Sequence, residues 1–190
     1  MADNKVRFGL DNVAIALLKD DESGYEAPVK VPGAVSLSTS PEGDNEVFYA
    51  DNGPYYTIAT NAGYTGDLEI ALLPDDIKAK ILGWEIDNNG ALVEVSDAVA
   101  KPFALLFEIN GDQRKRRNVF FSCTAARPEE ENKTTEDSST PTTETLSVTM
   151  IPRTIGEKKV TKLSIELNDK NKEAYDGFYT AVLEPNFASA

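Results

Sequence analysis

Apolar and polar side chains alternate along four stretches of the chain. Over residues 34–40 Val35 and Leu37 face one way and Ser36 and Ser38 the other. Over 66–73 Leu68, Ile70 and Leu72 oppose Asp67, Glu69 and Ala71. Over 144–151 Leu146, Val148 and Met150 oppose Thr145, Ser147 and Thr149, and over 162–167 Leu163, Ile165 and Leu167 oppose Lys162, Ser164 and Glu166. A period of two with one apolar side is the pattern of a half-buried antiparallel strand. The runs NVAIALL and PFALLFEI are continuously apolar and predict strands covered on both faces. INGDQR reads as a tight hairpin with Asn-Gly or Gly-Asp at its tip, and IDNNGALVEV as a second.

Two stretches change period. LPDDIKAKILG has Pro and two acids at its start, Ile77, Ile81 and Leu82 on one side, and Gly83 as a stop, which predicts a helix over 75–82. Further on, Ala174, Tyr175, Phe178, Tyr179 and Val182 fall at helical spacing, with Pro185 beyond, and predict a second helix over 169–183. Residues 39–66, with four glycines, two prolines and four tyrosines, read as a long loop. A second long loop spans about 127–144, and its segment 129–144 is built wholly from Glu, Asp, Asn, Lys, Ser, Thr and Pro, which bury nothing. No repeat or linker divides the 190 residues, so one domain is expected over 1–190.

Composition then narrows the chemistry. The formal net charge is −13, opposite to what counterion release on a phosphate backbone requires. There is no histidine, which removes Ser-His-Asp triads, Cys-His pairs and nearly all zinc sites. The single cysteine, Cys123, sits in VFFSCTAA and reads as a buried thiol on a strand. With 32 acids in the chain, no carboxylate pair stands out as catalytic, and DNNG reads as a turn rather than a calcium loop. No glycine-rich phosphate loop occurs. The residues point to no enzyme, cofactor or metal. No apolar run is long enough to span a membrane, and MADNKVRFGL lacks signal-peptide order, so synthesis in a cytoplasm is expected.

The basic run Arg114, Lys115, Arg116 and Arg117 follows the hairpin tip. On a strand its members would point alternately to opposite faces, with Lys115 opposite Glu108. It reads as a basic strand meeting acidic neighbours, within the chain or across a subunit boundary.

Several segments together resemble the major tail protein, or tail tube protein, family of long-tailed phages of Gram-positive bacteria. They are GAVSLSTSPEGDNEVFYADNGPYY (33–56), NAGYTGDLEIALLPDD (61–76), PFALLFEINGDQRKRRNVFFSCTAARPEEENKTTED (102–137) and ETLSVTMIPR (144–153), in that order, with VRFGLDNVAIALL before them and YDGFYTAVLEP after. The filling of 129–144 departs from the pattern.

The resemblance implies a mainly β fold, an antiparallel β-sandwich or barrel of the phage tail-tube type with one or two flanking α-helices and long loops. It implies a structural virion protein of a siphophage, located in the tail tube and made in the host bacterial cytoplasm. Its subunits would form stacked hexameric rings whose lumen conducts DNA during ejection. The implied partners are the chain itself, the tape measure protein, the tail terminator and distal tail or baseplate proteins. Double-stranded DNA would be met only in transit, and no membrane is involved. A monomeric immunoglobulin-like or carbohydrate-binding β-sandwich module on a virion is the alternative that keeps the same strands.

A lumen-lining strand needs one apolar and one polar side, which nominates Ser36, Ser38, Asp67 and Glu69 as lumen-facing. The aromatic content of 39–66 nominates Phe48, Tyr49, Tyr55 and Tyr56 as inter-subunit contacts, and Arg114, Lys115, Arg116 and Arg117 join them.

Overall fold

The computed structural model describes residues 8–129, 134 and 142–187. Its strands are β1 (Leu10–Leu17), β2 (Val29–Lys30), β3 (Ala34–Glu42), β4 (Asn45–Ala50), β5 (Gly53–Ala59), β6 (Gly63–Ile70), β7 (Glu85–Ile86), β8 (Leu92–Val93), β9 (Phe103–Ile109), β10 (Arg117–Ala125), β11 (Glu144–Ile151), β12 (Arg153–Ile155), β13 (Lys158–Val160) and β14 (Lys162–Ile165). Two helices accompany them, α1 (Asp75–Leu82) and α2 (Lys172–Asp176), the latter continuing into a 3-10 turn over Gly177–Tyr179. The fold is mainly β and antiparallel, as expected.

One sheet organises the molecule, in the order β2-β1-β9-β10-β11-β6-β3. β10 gives its Arg117–Phe120 half to β14 and its Ser122–Ala125 half to β11. The hairpin β12–β13 lies between those two partners, and the Phe121 N–H donates to the Thr161 carbonyl where they change over.

The strands β1, β9 and β10 are apolar on both sides because both sides are covered. On one, Val13, Ile15, Phe103, Leu105 and Phe120 pack against Leu68 and Ile70 of β6, Leu146, Val148 and Met150 of β11, and Ile77 and Ile81 of α1. On the other, Ala14, Ala16 and Ala104 present small side chains, and Phe178 settles among them with Leu106, Val119 and Phe121. Small residues let the C-terminal segment approach the sheet closely.

The helix α1 has the predicted bounds. Pro74 precedes it and accepts from the Ile77 and Lys78 N–H groups, and Asp75 and Asp76 occupy its positive end. Gly83 ends it at φ 73°, with a position for a Cβ only 2.4 Å from the Val99 carbonyl oxygen, so no larger residue fits.

Several expectations need correcting. The segment 39–66 is not a loop. β3 runs on to Glu42, β6 starts at Gly63, and a hairpin of β4 and β5 stands between them. Its tip, Asp51-Asn52, has φ of 50° and 63°, the doubly positive combination of a type I′ turn. Val35 does not join the core. A bulge between Ala34 and Ser36 inserts it as an extra residue, and it is 53% exposed while Ala34 and Leu37 pack inward. Leu72 is 68% exposed because β6 ends at Ile70, and Leu73 turns into the core in its place. Leu167 likewise falls beyond the end of β14 and is exposed. The second helix is shorter than 169–183, although Tyr175 and Phe178 are buried as its spacing requires. The hairpin after Ile109 carries a loop over 110–116, so Arg117 rather than Lys115 lies opposite Glu108. Most of the loop at 127–144 lies outside the described residues.

Candidate assembly surfaces

Three surfaces carry the nominated residues. The first is the outward face of β3, β6 and β11. Ser36, Ser38 and Asp67 are exposed there and Glu69 is partly so. The register explains why they meet: Ser36 pairs with Glu69 and Ser38 with Asp67 across β3–β6, and Ser147 pairs with Asp67 across β11–β6. Hydroxyls tie this face together. Ser36 donates to Glu69 at 3.0 Å, Thr143 to Glu69 at 2.8 Å, and Thr65 to Glu42 at 2.8 Å. The Asp67 N–H donates to the Ser38 hydroxyl at 3.4 Å. No Lys or Arg occurs in β3, β6 or β11, so the carboxylates here are solvated and hydroxyl-bonded rather than neutralised by a cation from these strands. Sequence reasoning named the acids but missed Ser147, Thr143, Thr65 and Glu42. The outward Ser and Thr of β11 were legible from its period of two, whereas their carboxylate partners depend on strand order.

The second surface is the arm formed by β4 and β5. Among the described residues it pairs with no other strand, and its base continues the β3–β6 ladder through Thr60 N–H to the Asp44 carbonyl and Ala62 N–H to the Glu42 carbonyl. At Gly43 a Cβ would sit 2.1 Å from the Thr60 oxygen, so the two strands cross there at backbone contact. At about 3.4 Å per residue, six residues carry the arm roughly 20 Å beyond the sheet. Phe48, Tyr49, Tyr55 and Tyr56 are 61–73% exposed. Phe48 is paired with Tyr56 and Tyr49 with Pro54, and Tyr55 is the extra residue of a bulge, so apolar groups decorate both faces of the ribbon. An isolated two-stranded ribbon is marginal in water, and one apolar on both faces has no inward side.

The third surface is the basic run, which the structure spends largely within the chain. Arg116 donates to Asp112 at 2.6 Å, and this bond holds the Asp112 carboxyl below the ordinary carboxylate range despite its burial. Arg117 reaches Glu108 at 3.3 Å, lies 4.1 Å from the Tyr175 ring centroid, and donates to the Tyr175 carbonyl. It thereby clamps α2 to the sheet. Arg114 lies 3.7 Å from Glu166, an exposed pair, and Lys115 is exposed at φ 49°. The four do not share one strand: only Arg117 belongs to β10. Cys123 is fully buried, and burial pushes its thiol far above the ordinary value.

A further feature escaped the sequence reading. Between α1 and the β7–β8 hairpin lies a cleft of about 390 Å³ lined by Leu17, Trp84, Ile86, Lys80, Lys101 and Asp76, among others.

No protein-family model matches the sequence, and neither does any curated protein. Among solved structures, the fold is similar to that of a chain in the PVC sheath–tube complex, an extracellular contractile injection system in its extended state. The identity is 8%, the match covers 86% of this chain and 94% of that one, and the TM-score is 0.46. It is similar also to a chain of the six-fold symmetrised anti-feeding prophage (AFP) baseplate, at 9% identity over 87% of this chain and 98% of that one, with a TM-score of 0.46. At such identities the likeness concerns the course of the backbone.

Proposed function

We propose that this chain is a structural protein, the major subunit of a phage-type tail tube, which assembles with copies of itself into hexameric rings stacked around a DNA-conducting lumen. The observation that carries the reading is the β4–β5 arm, whose aromatic side chains on both faces are exposed in the single chain and become buried only against other molecules. Two further features agree with it. β3 is a nine-residue edge strand paired only with β6 among the described residues, and such an edge is a template for lateral strand pairing. The outward face of β3, β6 and β11 suits a lumen, because DNA bears about one charge per 1.7 Å and slides past a lining of carboxylates and hydroxyls without being gripped.

In this reading 1–190 form a single tail-tube domain. The tape measure protein fills the lumen during assembly, terminator and baseplate proteins close the two ends, and the tube belongs to the virion. The resemblance of the sequence to tail tube proteins of Gram-positive siphophages supplies these finer terms.

Negative-stain microscopy of the concentrated protein tests the reading, with and without seeding by a tail initiator complex. Hollow, ring-stacked tubes are the expected result. A species that stays at 20.7 kDa under every condition would overturn it in favour of a monomeric surface module.

A further inference from the structure

The arm and the cleft beneath α1 lie at opposite ends of the same strands. β3 enters the arm at Glu42 and β6 leaves it at Gly63, whereas β6 delivers the chain to Leu73 and α1 from its other end, Ile70. Antiparallel pairing carries that second end across the sheet. The C-terminal end of β6 lies beside the start of β11, and the start of β11 lies toward the C-terminal end of β10. That end of β10 lies toward the start of β9, where Leu17 pairs with Phe103. Leu17, Lys101, α1 and Trp84 therefore gather at one pole, and the aromatic tip projects from the other.

We infer that the tip of the arm of one copy docks into the α1/β7–β8 cleft of the next copy, head to tail. The inference rests on the reading that the chain self-assembles, and it names the surface that receives the arm. Chemistry matches the two. The cleft offers Leu17, Trp84 and the exposed Ile86 to aromatic rings, and the exposed Val99 has its backbone against Gly83 of the same lining. It is an open depression of about 390 Å³, against whose wall ring-sized groups can lie.

Charge agrees as well. The chain contains no Lys or Arg between Lys30 and Lys78, so the arm, with Asp44 and Asp51, is wholly without positive charge. Lys80 and Lys101 line the cleft. Asp76 lines it too, and Lys101 stands 3.7 Å from the exposed Asp20. An Asp51 carboxylate arriving at the tip meets Lys80 and Lys101 beside Asp76 and Asp20, a cleft balanced in charge within a chain of net charge −13.

The geometry has a consequence for assembly. Two different patches at opposite poles make a heterologous contact, which propagates instead of closing on itself. Four partly exposed aromatic residues bury less than the ~800 Å² per partner of a stable pairwise interface. One arm alone therefore holds two copies weakly, while several arms engaged at once between rings bind cooperatively.

The test is cross-linking between copies. Tyr55→Cys and Ile86→Cys are placed in separate chains, with the buried Cys123 unreactive. The two chains are mixed, assembled, and treated with a short thiol cross-linker. A covalent dimer in the mixture, and in neither protein alone, is expected. Tubes in the microscope without that dimer would overturn the docking site and leave the tube reading standing. Absence of both tubes and dimer, when the unsubstituted protein also makes no tubes, would overturn the two together. If the cysteine substitutions themselves block assembly, charge exchange decides. Asp51→Lys is expected to lose assembly at least tenfold and to regain it when combined with Lys80→Asp and Lys101→Asp. Failure to regain it overturns the site.

Discussion

The Ser147 hydroxyl donates to the Asp67 carboxylate at 2.7 Å across the β11–β6 ladder. This contact keeps a charge solvated on the outer side of a sheet whose other side is core. Asp67→Lys with Glu69→Lys should leave the fold intact at a cost of about 1–2 kcal/mol, because Asp67 is exposed and Glu69 only half-buried, while the hydroxyl bonds from Ser147, Ser36 and Thr143 are lost. Tubes assembled into particles should then release DNA more slowly, since small attractions sum over many rings. A release rate equal to the unsubstituted particle's, with lysines shown in the lumen, would refute the electrostatic account.

The arm can be removed without touching the core. Replacing 45–60 with a two-residue Asn-Gly turn should leave the thermal midpoint of the chain unchanged, because among the described residues β4 and β5 pair only with each other. The shortened protein should stay monomeric in sizing experiments at concentrations where the full chain forms tubes. Tubes from the shortened chain would show that the arm is dispensable.

Lys78 and Glu144 join α1 to the start of β11 at 2.9 Å, with side chains 7% and 16% exposed. Glu144 also accepts the Leu73 N–H at 3.4 Å, so it holds the turn into the helix. Breaking a buried pair costs about 3–5 kcal/mol, and the partial exposure of Glu144 reduces this to about 2. Lys78→Met should therefore lower Tm by about 4–8 °C in calorimetry. No change in Tm would mean that the pair only balances its own desolvation.

The pH limits of stability follow from the buried Asp112 and the half-buried Tyr25. The hydrogen bond from Arg116 depresses the Asp112 carboxyl below the ordinary carboxylate value. A depressed acid contributes stability that is present above its unfolded pKa and is lost as pH falls through the folded one. Unfolding should therefore ease below about pH 4, and Asp112→Asn should flatten that acid limb. Tyr25 donates to the Phe121 carbonyl at 2.6 Å, and burial raises it from 10.0 to about 12. A raised group contributes stability that is whole below its unfolded pKa and lost as pH climbs to the folded one, so a second loss is expected between pH 10 and about 12. Denaturant titrations across pH check both limbs.

Much of this was written locally. β11 shows a clean period of two because one of its faces is core and the other water along its whole length. The bounds of α1 follow from Pro74, two acids and Gly83, all signals carried by neighbouring residues. The acids of the polar face were legible for the same reason as β11. Other features depended on contacts distant in the chain. The arm read as a loop because alternation marks a strand only when one face is buried in its own chain. With apolar residues on both faces, only the Asp51-Asn52-Gly53 turn and the flanking β-branched and aromatic residues signalled it. The bulge at Val35 and the ends of β6 and β14 shift single residues in or out of the core, and cross-strand register decides them. The arginine run met Glu166, Glu108 and Tyr175 only after the seven-residue loop and α2 were in place, whereas Asp112 lies four residues from Arg116 within the loop itself. Local pattern determined which segments could be strands or helices, because it records burial one residue at a time. Tertiary structure decided which strand lies beside which, and so set the arm and the α1 cleft at opposite poles, because that choice depends on pairing between residues far apart in sequence.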